Sequence, residues 1–383
     1  MKIAIFEKYP QDRLFCLDLL RGLDMMLLLC IGPLIKAFSK AIGGLPHCFM
    51  NQLNHVKWTG FNLWDIIMPL FIFMCGAAVP FALGRRLENG KSTAAYWKHV
   101  GARFALLWFF GMLVQGNFFT YDPGKFMYFS NTLQTIAIGY VVAAGVFLLK
   151  SRYARLSIAL SMFIIYGVLM HFGGDYSQSG NLAMKVDKAV FGFFLPNTNP
   201  MMQQTTYAWI LPSFMYAAMT ILGMECSKLL TDGRYAQWRR AGILAAGSFA
   251  VLCLGFLSSY IIPVIKPIFT VSFTLLAIGW SMLALTILYV ITDVFKFRFG
   301  MSIPILFGQF ALLAYMSAHL FDGAYRSVAW IFTFGLEQHI PKEWAHVIMR
   351  VIMIGLMTYV LAIRRTLSRA DSDRRPKGKK RTN

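Results

Sequence analysis

Apolar runs of about twenty residues, separated by short charged turns, recur along the whole 383-residue chain, and this spacing is the strongest constraint on its fold. A hydrocarbon core about 30 Å thick needs roughly 20 apolar residues per helix, and every backbone polar group inside it must find its partner within the segment. Ten runs qualify, at 15–36, 63–84, 102–120, 131–150, 155–172, 207–230, 240–263, 270–292, 301–321 and 345–364. The stretch 327–337 is too short to span and is expected to lie at the interface or re-enter, with Trp330 at headgroup depth. Composition agrees. With 57% hydrophobic and 14% charged residues and a mean hydropathy of +0.56, the chain has too little polar surface for a soluble particle. The expectation is an all-α polytopic integral membrane protein of about ten spans.

The formal net charge of +20 acquires meaning from its positions. Six segments on the side of the N-terminus (1–14, 85–103, 150–155, 228–240, 293–300 and 364–383) hold 26 of the 37 Lys and Arg, against 9 in the segments of the opposite side. Positive charge collects on the cytoplasmic face, so both termini are expected there. The outward loops 37–62 and 173–206 are long, whereas the inward turns are short and basic. Long ordered loops carry function more often than short ones.

Six cysteines (Cys16, Cys30, Cys48, Cys75, Cys226 and Cys253) are scattered singly, so neither a disulfide framework nor a metal site is expected. The N-terminal MKIAIFEKYPQDR carries no removable signal peptide pattern. Residues 1–365 read as one transmembrane domain, and 366–383 as a basic, unstructured cytoplasmic tail that contacts anionic lipid rather than nucleic acid.

Ionisable and amide side chains inside spans are expensive and become the candidates. Asp18, Arg21 and Asp24 lie at i, i+3, i+6, which suits an internal ion pair or a cytoplasmic ligand contact. His55 lies in the first outward loop, with Trp58 and Gly60 after it and Asp65 at the opening of the second helix. A carboxylate bonded to one imidazole nitrogen fixes the tautomer and leaves the other nitrogen as a base. The plain alternative for Asp65 is a helix-start charge favoured by the dipole. Asn131 and Gln134 open the fourth span on one face, either as a cap or as substrate contacts. Tyr315 and His319 suit a hydrogen-bonded pair between helices. Lys266, outside the mouth of the eighth span, either neutralises a substrate anion or snorkels. Hydrolase, metalloprotease and nucleotide-binding motifs are absent from the sequence.

Five stretches, RLFCLDLLRGLDMMLLL (13–29), HVKWTGFNLWDIIMPLFIFMCGAAVPF (55–81), NTLQTIAIGY (131–140), GNLAMKVDKAVFG (180–192) and KPIFTVSFTLL (266–276), together resemble the heparan-alpha-glucosaminide N-acetyltransferase family of transmembrane acyltransferases, in the form of bacterial members that carry only the membrane domain. The resemblance implies that acetyl-CoA is presented from the cytoplasm and that the acetyl group reaches the amine of a terminal glucosamine-like sugar on the far side. It places the family's active-site histidine at His55 and its acidic partner at Asp65. Departures are Cys30-Ile31-Gly32-Pro33, where many members carry an asparagine, and Phe269 in place of a usual Trp.

On this basis His55 and Asp65 are the expected catalytic pair, with His55 either the base or the covalent carrier of the acetyl group. Trp58, Asn131, Gln134 and Lys266 are the substrate-side candidates, with the two amides as donors to a thioester carbonyl. Arg85, Arg86, Arg239 and Arg240 are the cations available to the cofactor's phosphates. Acetyl-CoA is the expected donor and no metal is required. The expected partners are an amino-sugar or glycan acceptor, CoA and the lipid of a bacterial inner membrane, with a homodimer admitted and nucleic acid excluded. Two alternatives stay open: a proton-coupled transporter or flippase of a glycan precursor, and an O-acyltransferase acting on cell-surface polysaccharide.

Overall fold

The computed structural model describes residues 14–88, 90, 92–115, 121–203, 206–336 and 342–374. The chain is 76% helical, and among the described residues no strand forms; the isolated bridge between Thr59 and Ile265 is the nearest approach to one. Among the described residues, four helices are long and apolar enough to cross a membrane: Leu63–Glu88, Arg152–Phe172, Gln237–Ser259 and Val271–Val294. A fifth candidate is broken, since Ser302–Gln309 and Ala311–Leu320 meet at an angle of 77°. The run at 301–321 is therefore bent at Phe310 and not one straight span. Other apolar runs form shorter helices, among them Thr132–Phe147 and Val347–Leu361.

Helix ends follow local chemistry. Ser92 caps Thr93–Val114 by accepting from the Ala95 N–H, and Ser151 caps Arg152–Phe172 through the Ala154 N–H. The Ser92 cap starts that helix well before residue 102, inside the segment read as a cytoplasmic loop. Asp322–Thr333 is a short helix of 12 residues that overlaps the 327–337 stretch. The last helix, Lys342–Arg374, runs on into the segment expected to be an unstructured tail, while 375–383 lie outside the described residues.

Two compact units emerge from the chain. One comprises residues up to Leu20 together with Pro46–Phe299; the other comprises Arg21–Leu45 and the chain from Gly300 onward. In the first, Ser213–Thr231 is the central helix and packs against Ile67–Val79, Thr132–Phe147 and Arg152–Phe172. Close crossing is set by small residues: a Cβ on Gly76 would lie 1.8 Å from the Thr220 carbonyl oxygen, and one on Gly223 would lie 2.0 Å from that of Phe73. Only glycine admits such backbone approach between apolar helices, where there is no water to expel.

The same central helix carries a buried charge, Glu225, whose partner comes from a segment expected to be a cytoplasmic turn. Arg155 pairs through Nε and Nη2 with both carboxylate oxygens of Glu225 and also donates from Nη1 to the carbonyls of Leu149 and Lys150 at 2.6 and 3.1 Å. Both partners are buried. This fork holds the end of Thr132–Phe147 to two other helices, which is a structural role.

In the second unit, Phe38 meets Trp344 edge to face at 6.1 Å, and Arg350 approaches Asp322 at 3.7 Å. Asp24 is buried, and its Oδ2 has no partner among the described residues, so the expected ion pair with Arg21 does not form at that oxygen. The Tyr315 and His319 rings meet within one helix at 4.2 Å with an interplanar angle of 38°, and the ring nitrogen Nδ1 approaches the Tyr315 carbonyl at 2.8 Å. That pairing is local, not between helices.

Candidate functional site

Asp65 sits in a short 3-10 turn, Leu63–Ile66, that starts the second helix. The loop before it is tied down by Asn62, whose side-chain N–H donates to the carbonyls of Asn51 and Asn54 at 2.8 and 2.9 Å. The two oxygens of Asp65 divide the two roles that sequence left open. Oδ2 accepts the backbone N–H groups of Asn62 at 3.1 Å and Val56 at 3.4 Å, which is the helix-start role. Oδ1 lies 2.8 Å from His55 Nδ1, which is the imidazole-orienting role.

A third group completes this arrangement. Lys266 Nζ lies 3.3 Å from Asp65 Oδ1 and 3.1 Å from His55 Nδ1. One imidazole nitrogen offers one in-plane position, either a hydrogen or a lone pair. The shorter contact goes to the carboxylate, so the network assigns Nδ1–H as the donor to Asp65, with the Lys266 ammonium donating to the same oxygen. Nε2 then keeps its lone pair. The side chain of His55 is 50% exposed while that of Asp65 is 1% exposed: the imidazole is reachable and its partner is not.

Lys266 is brought here by a turn whose geometry is unusual. Gly60, at φ +127°, donates its N–H to Val264 O at 2.8 Å, and Thr59 bridges to Ile265. Gly60 is needed because L side chains rarely adopt that φ. Phe269 has φ 45°, a left-handed conformation that costs roughly 1–2 kcal/mol for a residue with a Cβ. Its ring is fully buried against Tyr216 at 4.8 Å and Phe273 at 5.2 Å. Around it, Thr270 N–H reaches Ile265 O at 3.2 Å, Ile265 N–H reaches Thr270 Oγ1 at 3.0 Å, and the Tyr166 hydroxyl donates to Ile268 O. Backbone strain persists only where surrounding contacts overdetermine it, and here it points Lys266 at Asp65. Burial lowers the Lys266 pKa from 10.5 to about 8, with the Asp65 charge opposing that shift.

The other sequence candidates fare differently. Trp58 donates its indole N–H to Tyr176 O at 2.9 Å, which ties the 55–60 loop to the 173–206 segment and leaves only its ring face for a substrate. Asn131 and Gln134 form a capping box on Thr132–Phe147. Asn131 Oδ1 accepts from Leu133 N–H. Gln134 is fully buried; its oxygen accepts from the Ser130 and Asn131 N–H groups and its nitrogen donates to Tyr128 O at 2.6 Å. The geometry thus gives this pair the cap role. Arg240 donates to Tyr235 O and Leu230 O at 2.8 and 2.9 Å, closing the end of Ser213–Thr231. Arg239 lies 5.1 Å over the Tyr235 ring. Arg85 and Arg86 follow a π-helical turn, Pro80–Gly84, and Arg103, absent from the sequence candidates, lies 4.5 Å over the buried Tyr140 ring.

Sequence reading also missed Asp187. It sits on the helix Leu182–Phe191, is buried, and accepts the N–H groups of Trp209 at 2.7 Å and Ile210 at 3.0 Å. Burial raises its pKa to about 7 against the opposing pull of those two N–H donors. A charged residue among the apolar positions of LAMKVDKAVF was the available signal. Three buried polar atoms in these segments have no hydrogen-bond partner among the described residues: Ser130 Oγ, Tyr176 Oη and Trp209 Nε1.

No protein-family model matches the chain, and no curated protein matches it.

Proposed function

We propose that the chain is a transmembrane N-acetyltransferase that moves an acetyl group from cytoplasmic acetyl-CoA to the amine of an extracytoplasmic, glucosamine-like sugar. The observation that carries this reading is the His55–Asp65 contact of 2.8 Å, with Lys266 on the same carboxylate oxygen. The sequence resemblance of the HVKWTGFNLWD stretch supports it independently.

In this reading an acceptor amine reaches His55 Nε2. An ammonium cannot attack a thioester, so the base keeps the amine neutral by taking its proton as the nitrogen adds to the carbonyl carbon. The C–S bond breaks, sulfur leaves as thiolate, and the imidazolium returns the proton to it; the products are the N-acetyl sugar and CoA thiol. Asp65 holds the ring and offsets the positive charge that develops on it. Lys266 holds Asp65 in turn. Ten spans with both termini on the cytoplasmic side of a bacterial inner membrane, as the basic segments indicate, put His55 and Lys266 on the outward side and Arg85 and Arg86 on the side of the donor's phosphates.

The test is thiol release from acetyl-CoA by purified protein against a panel of amino sugars, their hydroxyl analogues and peptidoglycan fragments. Release that depends on a free amine and yields the N-acetyl product supports the reading. Product on a hydroxyl makes the protein an O-acyltransferase. Absence of CoA binding together with proton-dependent uptake makes it a transporter.

A further inference from the structure

On the acetyltransferase reading, on which this inference rests, the oxygen of the acyl carbonyl needs a hydrogen-bond donor. Negative charge moves onto this oxygen as the nucleophile adds, and a donor fixed there in advance lowers the barrier. Gln134 is engaged in its own capping box. A second candidate is a buried N–H or O–H, held rigidly, with no partner of its own.

Trp209 has these properties. Its backbone N–H is held by Asp187 and its carbonyl accepts the Ser213 hydroxyl at 2.9 Å. Its ring stacks on Tyr207 at 5.7 Å with an interplanar angle of 22°, and lies against Phe129 at 5.4 Å. The residue is 6% exposed, yet among the described residues its indole Nε1 has no hydrogen-bond partner. An indole N–H can only donate, and leaving a buried donor unmade costs roughly 1–3 kcal/mol. The ring is held on two sides while its one polar atom is left without a partner among the described residues.

The segment is also tied to the His55 site. Ala208 N–H donates to Pro267 O at 3.2 Å, beside Lys266, whose Nζ lies 3.1 Å from His55 Nδ1. Ser130 and Tyr176 hydroxyls rotate and can also accept, so neither is restricted to donating.

We propose that the indole N–H of Trp209 holds the carbonyl oxygen of the acyl donor through addition and collapse. As the acceptor nitrogen bonds to the carbonyl carbon, the π pair moves onto oxygen and is stabilised by this hydrogen bond. When the C–S bond breaks, the pair returns to form the amide carbonyl. The indole keeps its proton throughout, and Asp187 is a positioning residue for the ring.

Two variants test this in the full-length protein. Trp209→Phe keeps an aromatic ring without the donor. Replacement of Trp209 by benzothienylalanine keeps the bicyclic shape and exchanges only N–H for sulfur. Each is expected to lower kcat about a hundredfold, with KM for acetyl-CoA, binding of free CoA and thermal unfolding in detergent unchanged. Should Trp209→Phe misfold, the benzothienylalanine protein decides. Wild-type kcat in the benzothienylalanine protein overturns the Trp209 assignment while leaving acetyl transfer standing, as does a loss of kcat matched by an equal loss of free CoA binding. A wild-type protein that transfers acetyl to no acceptor overturns both.

Discussion

Lys266 Nζ stands 3.3 Å from Asp65 Oδ1, with both side chains almost wholly buried. A buried carboxylate with one cation and one imidazole on the same oxygen is a costly object, because desolvation opposes each charge. It is held by the backbone on both sides: Asn62 and Val56 N–H groups on Oδ2, and the left-handed turn at Phe269 behind Lys266. Such investment in one carboxylate, beside a half-exposed histidine, is what the functional proposal explains.

His55→Ala is expected to lower acetyl transfer by about 10²–10⁴, the usual contribution of a general base, with CoA binding intact. Asp65→Asn is expected to slow transfer as well and to alter its pH profile, since an amide no longer fixes the ring. Steady-state kinetics on both variants check this; an unaltered profile in Asp65→Asn would leave that residue as a helix starter only.

Lys266 carries its charge below its pKa of about 8 and loses it above. Lys266→Met should therefore reduce transfer at neutral pH on the order of tenfold, the scale of one charge-assisted hydrogen bond, and the gap from wild type should narrow as pH rises past about 8. A gap constant across that range would mean the lysine acts through its packing and not its charge.

Asp187 has a folded pKa near 7, above its ordinary 3.8. Between these values the unfolded chain has released the proton and the folded one retains it, so stability falls as pH rises through that window and is level beyond it. Melting temperatures in detergent should show wild type losing ground to Asp187→Asn between about pH 4 and pH 7. Parallel curves would contradict a buried, proton-retaining carboxylate.

Glu225→Gln leaves Arg155 buried without its counter-ion and is expected to destabilise the protein by about 3 kcal/mol, as removal of one partner of a buried pair does. Replacing both, as Arg155→Met with Glu225→Leu, should recover much of that loss in thermal unfolding. A single variant as stable as wild type would show that the fork is solvated.

Ser179 and Ser92, both exposed, lie on opposite sides in the proposed topology. A cysteine at 179 should react with an impermeant maleimide added to intact cells, and one at 92 only after permeabilisation. The reverse pattern would invert the orientation of His55.

The helical class was legible because period and polarity act locally: apolar runs such as 63–84 and 270–292 became helices with little dependence on the rest of the chain. Helix ends were less legible. Ser92 starts its helix early because one hydroxyl reaches the Ala95 N–H, a contact that hydropathy cannot register. The run 301–321 is broken by 77° at Phe310, two residues after Gly308, a weak local signal inside an otherwise continuous apolar run.

The sequence by itself determined that this chain is helical and built for an apolar solvent, and it singled out His55 and Asp65, because unusual polar residues in an apolar chain are few. Only the tertiary structure decided which polar groups share a point. Lys266 joins Asp65 through a turn some two hundred residues away, Gln134 is closed into its own cap, and Trp209 keeps an indole N–H with no partner among the described residues. These outcomes depend on backbone directions and on which hydrogen-bond positions are already filled, and neither quantity is written in the order of the residues alone.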